Sequence, residues 1–275
     1  MKRPTLTGGV WDCHTHIYGP WDVFPLPANA AYRPAAAPMA DLLAMHERLG
    51  IGHGVLVQAA CYGTDHRALL AALAATDGRY RGMALVDETV RDADLQTLHE
   101  GGIRGVRFNF MGHLPGDRDM DRLRRVAERV RPLGWHALLH GHLAQMLPVL
   151  DAWRDLDMPL VIDHMARQDA TREWDEPALQ RLVRHLAHPQ RWIKLSGVDR
   201  AMQGAPAPWD AALPLARRLL DAAPQRAIWG TDWPHPNIHG PVPDDARLLD
   251  FLVDVCRDAA TAQAVLVDNP QRLYA

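Results

Sequence analysis

Four short runs carry side chains suited to metal binding or acid–base chemistry: His14-Thr15-His16, His140-Gly141-His142, Asp163-His164 and Thr231-Asp232. Side chains alternate along an extended segment, so His14 and His16 share a face, roughly 6–7 Å apart at the backbone, while Cys13 and Thr15 point elsewhere. Two imidazoles on one face can converge on a single ion, and imidazole nitrogen suits Zn²⁺. A further His and a carboxylate would complete the site with one position free for water, and His140 and Asp232 are placed to supply them. Asp232 is also a candidate general base for water, and His164 a candidate to polarise a carbonyl or its developing oxyanion. Any one of these motifs alone reads equally well as a polar strand end.

Residues so far apart in the chain need a scaffold that gathers them. Apolar runs of four to six residues, rich in Val, Ile and Leu, occupy residues 9–14, 54–58, 82–86, 105–110, 136–140, 160–164, 192–196 and 227–230. Such runs predict strands covered on both faces. Helical stretches separate them at 39–49, 65–76, 92–99, 120–131, 143–153, 177–187 and 210–222, and a last pair at 244–256 and 260–267 follows. Eight strand–helix units predict an α/β fold, a (β/α)₈ TIM barrel in a single domain over residues 1–275. A doubly wound sheet would place a Gly-rich turn after strand one, where this chain has His14-Thr15-His16. In a barrel, catalytic groups project from the C-terminal strand ends, and all four motifs fall there.

Composition sets the outer bounds. The chain has 275 residues, 48% of them hydrophobic and 23% charged, enough to form a core without disulfides. Its formal net charge of -3 gives no field for gathering nucleic acid. The basic stretch from Arg122 to Arg131 reads as the solvated face of a helix. Three cysteines make no framework, and no run of 18 apolar residues or signal-peptide core is present, so a cytoplasmic protein without a membrane span is expected.

The strand-end pattern resembles the amidohydrolase superfamily, with His-x-His after strand one, His after strands five and six, and Asp after strand eight. Longer runs, Trp11-Asp12-Cys13-His14-Thr15-His16, Gly105-Val106-Arg107-Phe108-Asn109-Phe110, Val161-Ile162-Asp163-His164-Met165 and Trp229 through Asn237, resemble the 2-pyrone-4,6-dicarboxylate lactonase family within it. That resemblance covers nearly the whole chain. It implies a hydrolase opening a small carboxylate-bearing lactone, with Asp232 activating water. It also implies substrate contacts from Arg107, Arg200 and Tyr32, arginine being suited to bidentate carboxylate pairing.

Two departures stand out. The lactonase family is metal-independent and carries Tyr where this chain has His140, so the full His14, His16, His140, His164 and Asp232 set matches metal-dependent relatives instead. Strand four offers no Lys or Glu to bridge two ions, which leaves one divalent metal or none; one ion, Zn²⁺, is the reading taken. His113 stands near where the lactonases carry another substrate-binding Arg. Arg167 is a weaker candidate for the substrate. His142 reads as a buried or supporting partner, His235 and Asn237 as turn residues, Lys194 as a paired lysine within strand seven, and His46 as solvated. The alternatives are a mononuclear-metal decarboxylase on the same fold and a non-catalytic binding barrel. Oligomeric state is not readable.

Overall fold

The computed structural model describes residues 3–114, 116–238 and 240–274. Eight strands alternate with helices in chain order: β1 (Val10–Thr15), α1 (Met39–Leu49), β2 (Ile51–Val57), α2 (Arg67–Ala74), β3 (Tyr80–Ala84), α3 (Asp92–Glu100), β4 (Ile103–Asn109), α4 (Met120–Val130) and β5 (His136–His140). There follow α5 (Leu143–Ala152), β6 (Leu160–Ile162), α6 (Glu176–Leu186), β7 (Arg191–Lys194), α7 (Val198–Ala201), α8 (Leu213–Ala222), β8 (Ala227–Ile228), α9 (Asp245–Cys256), α10 (Ala259–Gln263) and α11 (Asn269–Tyr274). Each strand pairs in parallel with the next. The ring is closed by backbone hydrogen bonds from Cys13 N to Trp229 O (2.8 Å), His16 N to Trp233 O (2.8 Å) and Asp232 N to His14 O (2.9 Å). The expected barrel is therefore present.

The strand period of two sorts the core into two layers. Trp11, Cys13, Val55, Val57, Met83, Leu138, Val161, Trp192 and Ile228 fill the interior, with Tyr274 of α11 joining them. Tyr274 stacks on Trp11 and meets His136 edge-on, plugging the end opposite the motifs. Leu56, Ala84, Val106, Leu139, Ile162 and Ile193 face outward beneath the helices. On α4, Leu123, Val126, Ala127 and Val130 are buried while its arginines pair with acids at the surface, which makes the basic stretch a solvated face as expected.

Strand limits fall within three residues of expectation; the largest difference is the earlier start of β2 at Ile51, and β6, β7 and β8 each end two residues early at the site. The sixth strand stops at Ile162, because His164, Met165, Ala166 and Arg167 all adopt left-handed backbone (φ 47, 51, 53 and 53°). Such a run of non-glycine residues is sterically costly and persists only where its surroundings enforce it. No helix among the described residues is long and apolar enough to cross a membrane.

Candidate active site

The site is built on the seam where β8 meets β1. Asp12, fully buried, organises it. Its Oδ1 accepts from the backbone N–H of His14 and of Thr231, each at 3.0 Å, and its Oδ2 accepts from Thr231 Oγ1 at 2.6 Å. His46 Nε2 approaches Oδ2 at 3.2 Å, and the other ring nitrogen of His46 lies 2.6 Å from Tyr80 Oη. His46 is thus buried, which corrects the expectation that it is solvated. The β1 ladder shifts register between Asp12 and Thr15, so Cys13 and His14 both turn inward, where strict alternation would have parted them. A side chain at Gly230 would place its Cβ 2.5 Å from His14 N, so the seam closes only around glycine there.

This seam brings His14, His16 and Asp232 together. The Nε2 atoms of His14 and His16 are 3.3 Å apart, and Asp232 Oδ1 lies 3.6 Å from the first and 3.5 Å from the second. His16 Nδ1 is 2.8 Å from Val57 O, a pure acceptor, so it carries the proton and leaves the Nε2 lone pair facing the cluster. Two buried imidazoles and a buried carboxylate at these separations suit one small divalent cation. Asp232 itself has left-handed backbone (φ 67°), a strained geometry of the kind found at functional positions.

His140, expected as a fourth ligand, stands apart. Among the described residues the convergent groups are His14, His16 and Asp232, and His14, Asp163 and His164. His140 belongs to neither, although it lines the same cavity as His16, His164 and Asp232. Its Nδ1 meets Asn109 Oδ1 at 3.1 Å and its ring faces that of His164 with centroids 5.5 Å apart.

His164 hangs over the cluster from the left-handed turn. Its Nδ1 is 2.9 Å from Ser196 Oγ, and its Nε2 is 3.9 Å from Asp232 Oδ1. Gly197 (φ 71°) sits directly beneath, where a Cβ would approach His164 Cβ to 3.1 Å. Burial pushes the imidazole down to about 4, so it is neutral near pH 7. Burial also holds His14 and His140 well below the ordinary histidine value. On Asp232 burial acts in the raising direction, but the neighbouring His164, His16 and Arg200 outweigh it and keep the carboxyl well below its usual range. The site therefore presents neutral His14, His140 and His164 around an ionised carboxylate.

The three cavity arginines differ in what they touch. Arg107 Nη2 reaches Asp163 Oδ2 at 3.3 Å. Arg200 Nη2 reaches Asp232 Oδ2 at 3.1 Å and Pro236 O at 2.7 Å. The Arg167 guanidinium lines the same cavity, and its side chain makes no hydrogen bond or ion pair among the described residues. Tyr32 and the exposed His113 complete that wall, with Tyr32 Oη 3.2 Å from Tyr18 Oη. Burial pushes the Tyr32 phenol up to about 12, which keeps it a donor.

Several sequence readings change. His142 is exposed and starts α5, not a buried supporting residue. His235 and Asn237 are turn residues as expected, with left-handed backbone (φ 62 and 60°), and His235 is in addition buried, with Asp245 as partner (2.9 Å). Lys194 is paired as expected, but inside the site, at His14 and Asp163. Asp12 was not singled out, although an Asp inside an apolar strand is itself a signal, since a buried carboxylate demands partners.

Comparison with known proteins bears on this arrangement. The amidohydrolase family profile (Amidohydro_2) matches residues 11–275. The chain belongs to the amidohydrolase family. Among curated relatives, this amidohydrolase is 37% identical to the 2-pyrone-4,6-dicarboxylate hydrolase of Comamonas testosteroni, over 98% of this chain and 91% of that one. It is 34% identical to the 4-sulfomuconolactone hydrolase of Rhizobium radiobacter, over 97% and 90%. Among solved structures, a Pseudomonas putida protein described as a 2-pyrone-4,6-dicarboxylic acid hydrolase superposes with a TM-score of 0.85 at 32% identity, covering 98% of each chain. The resemblance found in the motifs thus extends over the whole sequence and the fold.

Proposed function

We propose that this amidohydrolase hydrolyses a small carboxylate-bearing lactone, with Asp232 as general base and His164 as the group that polarises the scissile carbonyl. The observation that carries this reading is one cavity holding an ionised carboxylate on two imidazoles together with Arg167, which forms no close ion pair among the described residues. Relatives that act on pyrone dicarboxylate and sulfomuconolactone support the substrate class, since both carry an anionic group beside a lactone ring.

Arg167 takes the substrate carboxylate, because among the described residues it alone of the three arginines forms no close ion pair, although the charges of Asp232, Asp199 and Asp163 reach it. Tyr32 and His113 flank that carboxylate. Arg200 holds Asp232 in place and Arg107 holds Asp163, so both act on the substrate through those carboxylates as well as by lining the cavity. With the ring so fixed, Asp232 takes a proton from water as the oxygen attacks the lactone carbonyl. His164, neutral and with Ser196 at Nδ1, offers its Nε2–H to the developing oxyanion. The proton on Asp232 then passes to the departing ring oxygen, giving an open-chain acid. His14, His16 and Asp232 would hold one divalent cation, Zn²⁺ by their nitrogen-rich character, which supplies Lewis acidity toward water when bound. His140 faces the substrate from the opposite wall.

The test is a panel of 2-pyrone-4,6-dicarboxylate, 4-sulfomuconolactone and uncharged lactones of equal ring size, followed by acid release. The anionic lactones are expected to turn over at least tenfold faster. Equal rates on uncharged rings, or loss of CO₂ in place of acid release, would overturn the reading.

A further inference from the structure

Lys194 ends β7 inside the barrel, with no exposure to solvent. Its Nζ lies 2.9 Å from His14 Nδ1 and 3.2 Å from Asp163 Oδ1. An ammonium group has three donors and no acceptor, so a hydrogen bond to His14 Nδ1 requires a lone pair on that nitrogen. The proton of neutral His14 must then sit on Nε2. Asp163 Oδ1 is also 3.2 Å from Nδ1, but outside hydrogen-bond geometry; a proton on Nδ1 would have to turn toward it and leave Lys194 without that acceptor.

The far side of the ring agrees. His16 Nδ1 donates to Val57 O, so His16 Nε2 is an acceptor, and His14 Nε2 stands 3.3 Å from it. Donation then runs one way, from Lys194 to His14 to His16 to the Val57 carbonyl.

We propose that Lys194 fixes His14 as the Nε2–H tautomer in the metal-free enzyme and thereby opposes capture of a cation by His14, His16 and Asp232. A cation there needs the His14 Nε2 lone pair. The proton must first move from Nε2 to Nδ1 and be offered to Asp163, and the Lys194 hydrogen bond to His14 is lost. Lys194 is a positioning residue in this scheme: it acts through His14 and meets no substrate. The inference deepens the metal reading given above, and its tautomer arm does not depend on that reading.

The experiment is long-range proton–nitrogen NMR of the full chain carrying ¹⁵N-histidine, stripped of metal with EDTA. The His14 signals are assigned by their absence from His14→Gln. The wild-type spectrum should show a protonated Nε2 and a bare Nδ1 at His14, and Lys194→Met should reverse the two. Zn²⁺ titration against a chromophoric chelator should show Lys194→Met binding at least tenfold more tightly. A wild-type His14 protonated at Nδ1 would overturn the proposal, as would an unchanged tautomer or equal Zn²⁺ affinity in the variant. If Lys194→Met does not fold, the wild-type spectrum alone decides. If neither protein binds Zn²⁺ the metal reading falls, and the spectra still judge the role of Lys194.

Discussion

The two sides of the pocket are built in opposite ways. On the β4–β5 side the ladder is regular, with five successive pairs from Gly105↔His136 to Asn109↔His140. Arg107, Asn109 and His140 project inward from it by simple alternation. On the β8–β1 side the ladder shifts and ends early, Asp232 is left-handed, and side chains of Asp12 and Thr231 take over hydrogen bonds that strands would have made. The regular wall places isolated groups at strand spacing. The irregular seam brings three ionisable groups within 4 Å of each other. Reactive density is therefore obtained where regular pairing is given up, and buried polar partners such as Asp12 stabilise the departure.

This contrast can be broken first at its centre. Asp232→Asn removes the base while keeping its shape, and kcat/KM should fall on the order of 10³-fold or more with the far-ultraviolet circular dichroism unchanged. Activity above a tenth of wild type would move the base elsewhere.

Acid comes next. His164 has its pKa lowered from 6.5 to about 4. Between those values the unfolded chain binds more protons than the folded one, so stability is fully present above about pH 6.5 and declines as pH falls toward 4. For His164 alone this amounts to on the order of 3 kcal/mol, and His14 and His140 act in the same direction. Denaturant titrations at pH 7 and pH 5 should show it, and His164→Gln should flatten the dependence. A profile flat from 7 to 5 would mean that the imidazoles are charged in the folded protein.

Arg167→Met should raise KM for an anionic lactone about 10–100-fold with a smaller change in kcat, since a charge-assisted pair contributes roughly 1.5–3 kcal/mol. Arg200→Met should act mainly on kcat, because it leaves Asp232 without its guanidinium. Steady-state kinetics separate the two, and the reverse pattern would exchange their roles. The smallest effect belongs to the regular wall. His140→Asn should change Zn²⁺ affinity less than threefold, whereas His16→Asn should abolish measurable binding in the same chelator competition. Equal losses would bring His140 into the ligand set.

Much of this was legible in the sequence, because barrel strands buried on both faces announce themselves as short apolar runs and because reactive residues cluster at their ends. His14, His16, Asp232 and His164 were found by that logic. What stayed hidden depends on contacts between distant segments. Asp12 inside an apolar strand signals a buried carboxylate, but spacing does not show its partners, Thr231 just after β8 and His46 on α1. Nor does spacing reveal that Arg107 and Arg200, expected as substrate contacts and lining the cavity, also pair with Asp163 and Asp232. The left-handed turn at 164–167 contains no glycine, so the usual marker of such backbone is missing there. Four ligands were expected on one rim; three of them, His14, His16 and Asp232, converge, while His140 lines the same cavity outside that group.

Water activation by Asp232 is tested most directly by turnover of 2-pyrone-4,6-dicarboxylate in oxygen-18 water, with the product mass read after a single turnover. The expected result is one heavy oxygen in the newly formed carboxylate, and no product from Asp232→Asn in the same time. A product of unchanged mass, or one lighter by CO₂ and free of label, would contradict hydrolysis at this site.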